Sequence, residues 1–259
     1  MWKFAESKQS DYYTRILCFR KTYLVKAIDK KIPQLWDFLL VKLYKFDIVT
    51  FMKKDVPDFS VENASGFNLV AGVDEAGRGP LCGPVVAAAV IFPNREIEIP
   101  VVIRDSKQMT SRQRAAAYDW IVNNTIWAVA ECSPVEIDEM NILWASMCAM
   151  KRAITKLSVV PQHCLIDGNR MPDGVCGAPV VRGDAKSLSI AAASIVAKET
   201  RDRIMSELAQ QYPQYAWDKN AGYPTKSHLQ AIEIYGINQH YRKSFGPVKE
   251  RIKNENSNN

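Results

Sequence analysis

Histidine is scarce in this chain, with three among 259 residues. Its six cysteines (Cys18, Cys82, Cys132, Cys148, Cys164 and Cys176) include no C-x-x-C pair, so the spacing of a structural zinc site is missing. All six read as reduced core or near-surface thiols. No stretch approaches the roughly 18 uncharged apolar residues that a membrane-spanning helix needs. The most apolar N-terminal segment, 32–52, is interrupted by Asp37, Lys42, Lys45 and Asp47. A secretory signal is lacking too, because Glu6 and Asp11 precede any apolar run and no small-residue cleavage site follows. These absences point to a cytoplasmic protein with no membrane contact.

The chain also lacks a strong charge of one sign outside its first fifth. The formal net charge is +6. Residues 1–51 hold 10 of the 34 Lys and Arg and 5 of the 28 Asp and Glu, which leaves 24 basic against 23 acidic residues for 52–259. Bulk charge therefore does not mark the main body as a nucleic-acid binder, and any such case has to come from a site. Residues 1–51 contain no glycine and show no strand-turn-helix logic. They read either as a basic appendage adding nucleic-acid contacts or as an upstream extension outside the functional protein. The second reading, with Met52 as the start, is the expectation, and an intact mass that retains Met1 would refute it.

From Leu69 onward, strand and helix signals alternate. Leu69 to Asp74 is a short apolar run ending in acid, followed by the Gly77-Arg78-Gly79-Pro80 turn. Pro84 to Phe92 reads as a buried strand. Thr110 to Gln113 matches a capping box opening a helix to about Asn123, and Thr125 to Glu131 reads as a strand. Ser133-Pro134-Val135-Glu136 is a second capping box, heading a helix to about Leu157 with a break near Asn141. His163 to Asp167 is a strand closed by the Gly168-Asn169 turn, and Val180 to Arg182 is another extended piece. Asp184 sits where an N-cap belongs, before an Ala-rich helix to about Gln211. Short helices and loops follow from Lys226 to Ile252. This alternation is that of an α/β domain.

Four acids stand at the ends of these elements: Asp74 and Glu75 end the first strand, Asp167 ends a later one, and Asp184 begins the Ala-rich helix. In an open α/β sheet, ligands bind where strands end and helices begin. Gathered there, such acids would repel; two like charges about 4 Å apart cost roughly 4 kcal/mol at an effective dielectric near 20. They would then take up protons or recruit cations. Oxygen donors suit Mg²⁺ or Mn²⁺ rather than Zn²⁺. On spacing alone the cluster competes evenly with plain capping and turn roles for Asp184 and Asp167.

The run from Ala71 to Val90, AGVDEAGRGPLCGPVVAAAV, closely resembles the opening motif of bacterial ribonuclease HII, in the type 2 RNase H family. Further matches follow in order: Asp105-Ser106-Lys107, Ile166 to Asn169, Gly183 to Ser187, Ala191 to Lys198, Ala221 to Thr225 with His228, and Ser244 to Val248. The resemblance covers about residues 67–251. It implies an RNase H-like central mixed β-sheet flanked by helices over 67–211 and a small C-terminal helical part over 212–251; the polar residues 252–259, beyond the match, read as a disordered tail. It implies that Asp74, Glu75, Asp167 and Asp184 are catalytic carboxylates holding two Mg²⁺ or Mn²⁺ ions. The reaction implied is in-line attack of water on the phosphate 5′ to a ribonucleotide, leaving 3′-hydroxyl and 5′-phosphate ends.

By the same resemblance, Gly77, Arg78 and Gly79 form the loop that senses the ribose, and Tyr223 packs on the neighbouring sugar. Glycines admit close backbone approach, and the 2′-hydroxyl is what separates RNA from DNA. Lys107, Lys186, Lys198 and Arg201 are candidates for a phosphate track, each weighed against ordinary solvation. Ala221 stands where many members carry lysine, so a phosphate contact is in doubt there. Asp105 reads as a turn residue and not a ligand. The substrates expected are RNA–DNA hybrids and DNA containing ribonucleotides, acted on by a monomer with no evident protein partner. Other readings are ribonuclease HIII, a silent hybrid binder, or another nuclease or integrase of the same fold.

Overall fold

Five strands form one mixed sheet: β1 (Val70–Ala76), β2 (Val85–Ile91), β3 (Ile126–Cys132), β4 (His163–Asp167) and β5 (Gly177–Val180). The strand order is β3-β2-β1-β4-β5. The pairs β1–β2 and β2–β3 are antiparallel, while β1–β4 and β4–β5 are parallel. This computed structural model describes residues 56–257, with side chains to Asn254. Asp55–Asn259 is one unit. The expectations for residues 1–51, Met52 as start and Cys18 as a thiol lie outside the described residues.

Every residue of β2 is buried, because both faces of the sheet are covered. Val85, Ala87, Ala89 and Ile91 meet α3 (Pro134–Thr155) on one face. Ala88 and Val90 meet α2 (Ser111–Asn124) and α4 (Leu188–Gln211) on the other. Alternate residues of a strand point to opposite faces, so an unbroken apolar run is what a doubly covered strand requires. Each fully buried Val or Ile contributes roughly 1.5–3 kcal/mol.

The start of α4 lies hard against β1 at Gly72, where a Cβ would come within 2.1 Å of the Ser189 carbonyl carbon. Ala191, Ala192 and Ala193, all buried, permit the same close approach along the helix.

The helix boundaries follow local chemistry. Thr110 and Gln113 form a reciprocal capping box at α2, and Ser133 and Glu136 form another at α3. The break expected near Asn141 is present as a left-handed residue (φ 65°) inside α3, and its side chain accepts from the Leu143 N–H.

Three features differ from the sequence reading. The cap of α4 is Ser187, not Asp184: the Ser187 hydroxyl accepts from Ile190 N–H and donates to Glu62, and Asp184 sits in a single 3-10 turn, Gly183–Ala185. The body also starts before residue 67, since Glu62 of α1 (Ser60–Ala64) is fully buried and accepts from Ser187 Oγ and Ser189 N–H. Finally, residues 252–257 of the expected disordered tail belong to a helix. Past the short α5 (Trp217–Asn220) and α6 (Lys226–Tyr235), α7 (Gly246–Ser257) packs Val248 and Ile252 into the C-terminal apolar cluster, which holds the helix through 252.

That cluster joins Leu81 and Cys82, from the β1–β2 connection, to Met205, Tyr215, Trp217 and Tyr241. The C-terminal helices therefore grip the loop that follows β1. Of the described cysteines, Cys82, Cys132 and Cys164 are buried, Cys148 is half-buried and Cys176 exposed, and none is in a disulfide. Among the described residues no helix is long and apolar enough to cross a membrane.

Candidate active site

The β1–β4 pair runs parallel, with Val73 beside Ile166. One step further on, Asp74, near the end of β1, and Asp167, the last residue of β4, follow side by side. Asp74 is opposite Ala88, on the face covered by α4. It is almost wholly buried, and its Oδ1 accepts the Glu75 N–H at 2.7 Å. Asp167 Oδ1 accepts the Gly183 N–H at 2.7 Å, which ties the end of β4 to the turn that carries Asp184.

Asp167 lies within electrostatic reach of the other three acids, and its charge raises Asp74, Glu75 and Asp184 alike. Burial pushes the Asp74 carboxyl well above the usual range; the charges of Glu75 and Asp167 push it further, while the Glu75 N–H and Ser194 pull it back. Burial likewise raises Glu75, opposed by Arg78 and Lys107. Asp184 is raised by burial, then by the charges of Asp167 and Asp105, and lowered by Lys107. Four acids that feel one another in partial burial are unfavourable alone, and a dense positive charge relieves them.

Carboxylate oxygens without histidine or thiolate are the donor set of Mg²⁺ or Mn²⁺, so the residues fit a hard divalent cation. Among the described residues no three His, Cys, Asp or Glu side chains stand grouped so that they could hold a metal ion as they are. The match lies in donor chemistry and charge rather than in a preformed coordination sphere.

Gly77 adopts a left-handed φ of 96°, and Arg78 reaches back to Glu75, Nη1 to Oε1 at 3.2 Å. The Arg78 side chain is 49% exposed and can leave that contact for another anion. Gly79 faces Tyr223: a Cβ there would lie 3.3 Å from the ring Cε1. Tyr223 is 44% exposed. Its carbonyl is held at 2.9 Å by Nδ1 of the fully buried His228, whose Nε2 accepts from the Trp217 indole N–H at 3.1 Å. An indole only donates, so Nδ1 carries the His228 proton and donates to Tyr223.

The basic residues do not form a common track. Lys107 is exposed and near enough to Glu75 and Asp184 to lower both. Lys186 folds back to the Val181 carbonyl at 2.7 Å, and Lys198 pairs with Asp202 at 2.6 Å. Arg201 corrects the expectation: it is buried, and its guanidinium donates to the carbonyls of Cys82, Pro84 and Ala221 instead of facing a ligand. Asp105 is a turn residue as expected, its Oδ1 accepting from Lys107 N–H, although its charge also reaches Asp184.

Sequence reasoning assigned no part to Arg242, Ser194 or His228. Arg242 and Ser194 act on segments distant in the chain, whereas His228 works on its neighbours Tyr223 and Trp217, and the sequence offered it only as a member of a motif, without a role.

The ribonuclease HII family model matches residues 71–247, more than half of the chain. The ribonuclease HII of Magnetococcus marinus is 52% identical over 205 residues, spanning 76% of this chain and 95% of the relative. That of Vibrio parahaemolyticus is 50% identical over 206 residues, 78% and 95% of the two chains. Among solved structures, ribonuclease H2 from Pyrococcus horikoshii superposes with a TM-score of 0.61 at 28% identity, covering 71% of this chain and 97% of that one. Bst-RNase HIII in complex with Mn²⁺ has a TM-score of 0.55 at 18% identity, covering 71% and 69%, and shows the shared fold. The chain is thus an endoribonuclease of the ribonuclease HII family.

Proposed function

We propose that this ribonuclease, whose family cuts the RNA strand of RNA–DNA hybrids, also incises duplex DNA immediately 5′ of a single ribonucleotide, as a first step of ribonucleotide repair. The observation that carries the proposal is the placement of Asp74, Glu75, Asp167 and Asp184 at one sheet end, beside the exposed Arg78 and the facing Gly79 and Tyr223.

In this reading the four carboxylates hold two divalent ions, Mg²⁺ or Mn²⁺. Bound there, such ions supply activation of the attacking water and stabilisation of the leaving 3′-oxygen. The chain's own residues do the rest. Asp167 is kept in place by the Gly183 N–H, so the ends of two parallel strands and one turn present their acids together. Arg78 exchanges its Glu75 contact for a substrate phosphate, which its planar fork suits. Gly77 and Gly79 let the backbone approach the 2′-hydroxyl, and Tyr223 supplies an apolar ring for the adjacent sugar. Lys107 remains the one member of the expected track that this reading places against phosphate. Lys186 and Lys198 are engaged within the protein, and Arg201 is buried.

The test is a DNA duplex carrying one ribonucleotide, incubated with Mg²⁺ or Mn²⁺. Incision 5′ of the ribonucleotide is expected, lost with chelator and with Asp184→Asn. Cleavage that persists in chelator, or that falls elsewhere, would overturn the reading.

A further inference from the structure

Two arginine side chains, Arg201 and Arg242, are buried beneath the connection between β1 and β2. Among the described residues no carboxylate lies within ion-pair distance of either. A buried cation without an ion-pair partner is costly unless its donors are satisfied. Arg242 satisfies them on one loop: Nη2 donates to Gly77 O at 2.6 Å, Nη1 to Arg78 O at 3.1 Å and Pro80 O at 2.9 Å, and Nε to Gly83 O at 3.0 Å.

These bonds fix more than the carbonyls. Among the described residues all the peptide bonds are trans, so each N–H points away from the carbonyl of the same peptide unit. Turning the Gly77 and Arg78 carbonyls inward turns the N–H groups of Arg78 and Gly79 outward. Neither N–H has an acceptor among the described residues, although the N–H groups of Leu81 and Gly83, further along, are taken by Gly222 O and His240 O. The loop therefore presents two adjacent free donors beside the acidic cluster. Successive outward N–H groups make a concave site for oxygen atoms.

We propose that Arg242 is a positioning residue for ribose recognition: by drawing the Gly77, Arg78 and Pro80 carbonyls inward, it aims the Arg78 and Gly79 N–H groups at the oxygens of the ribonucleotide. The inference rests on the reading of this loop as the ribose sensor. Arg242 is itself held from outside, because Asp138, on α3 just before the Asn141 break, accepts from the Lys243 and Ser244 N–H groups, both at 2.8 Å.

The test measures binding in the Asp184→Asn background, where the substrate stays intact. Affinity for a duplex with one ribonucleotide is compared with affinity for the all-DNA duplex, before and after Arg242→Lys. Lysine keeps the charge but offers a point donor in place of the fork. The preference for the ribonucleotide should fall by about tenfold, as expected for losing charge-assisted donors, with the all-DNA affinity nearly unchanged. A purely structural role would weaken both duplexes alike. Should Arg242→Lys fail to fold, Asp138→Asn in the same background loosens the Arg242 segment and must reduce the preference.

A preference that survives in a folded variant overturns the inference. If the Asp184→Asn protein shows no preference to begin with, the reading of the loop as ribose sensor fails as well, so the two failures are distinguishable.

Discussion

The Gly183 N–H donates to Asp167 Oδ1 at 2.7 Å, joining the end of β4 to the turn that carries Asp184. Gly183 has no room for a side chain, since a Cβ would meet Ile190 Cδ1 at 2.5 Å and Asp167 Oδ1 at 3.2 Å. Gly183→Ala should displace the turn and separate the two acids. Incision should fall at least tenfold, a loss of about 1.4 kcal/mol of transition-state stabilisation. Single-turnover assays at saturating Mg²⁺ check this; a rate within twofold of the parent would show that the turn tolerates the shift.

The contact between Gly79 and Tyr223 gives a second test. An alanine at 79 would place its methyl 3.3 Å from Tyr223 Cε1, tight enough to press on the ring. Gly79→Ala should raise KM for a single-ribonucleotide duplex by several fold while the folded protein melts within a few degrees of the parent. Tyr223→Ala should raise KM in the same direction, and the double variant should cost less than the sum, as for residues in contact.

The acidic cluster sets a pH dependence whose sign can be worked out. Asp74, Glu75 and Asp184 are all raised in the fold, first by burial. The folded state then binds more protons than the unfolded one, so stability falls as pH rises from the ordinary carboxylate range through the raised values. Without divalent ions, Asp74→Asn should therefore melt above the parent at neutral pH, with the gap closing toward about pH 4. Mg²⁺ or Mn²⁺ should raise the parent's Tm by mass action and the variant's less. Thermal melts in chelator and in metal across this range decide it.

His228 gives the opposite limb. Burial holds its pKa below the ordinary value, and its neutral ring accepts from Trp217 while Nδ1 holds the Tyr223 carbonyl. A histidine lowered on folding contributes stability that is present above its unfolded pKa of about 6.5 and is lost as pH falls toward the folded value. His228→Ala should abolish this acid-side slope. It should also cost about 1–3 kcal/mol for each buried donor left without an acceptor, at roughly 2–4 °C of Tm per kcal/mol. The difference in Tm between parent and variant, followed from pH 8 to pH 5, isolates the effect from that of the carboxylates.

The amino-acid sequence alone determined whatever depends on neighbours within a turn or two. The capping boxes at Thr110 and Ser133, the break at Asn141 and the bounds of β4 were all legible there. A cap or turn is satisfied by atoms a few residues away, so its chemistry is written locally. The four acids could be picked out because strand ends and turns announce themselves, and the long motifs fixed the family.

Only the tertiary structure decided the rest. It gave the cap of α4 to Ser187, leaving Asp184 in the turn beside Asp167. It buried Arg201 and placed Arg242 under a loop 165 positions away, while the apolar face of α7 kept the C-terminal segment helical. A long charged side chain goes where unpartnered carbonyls remain after the chain has packed, and no local pattern records where those will be.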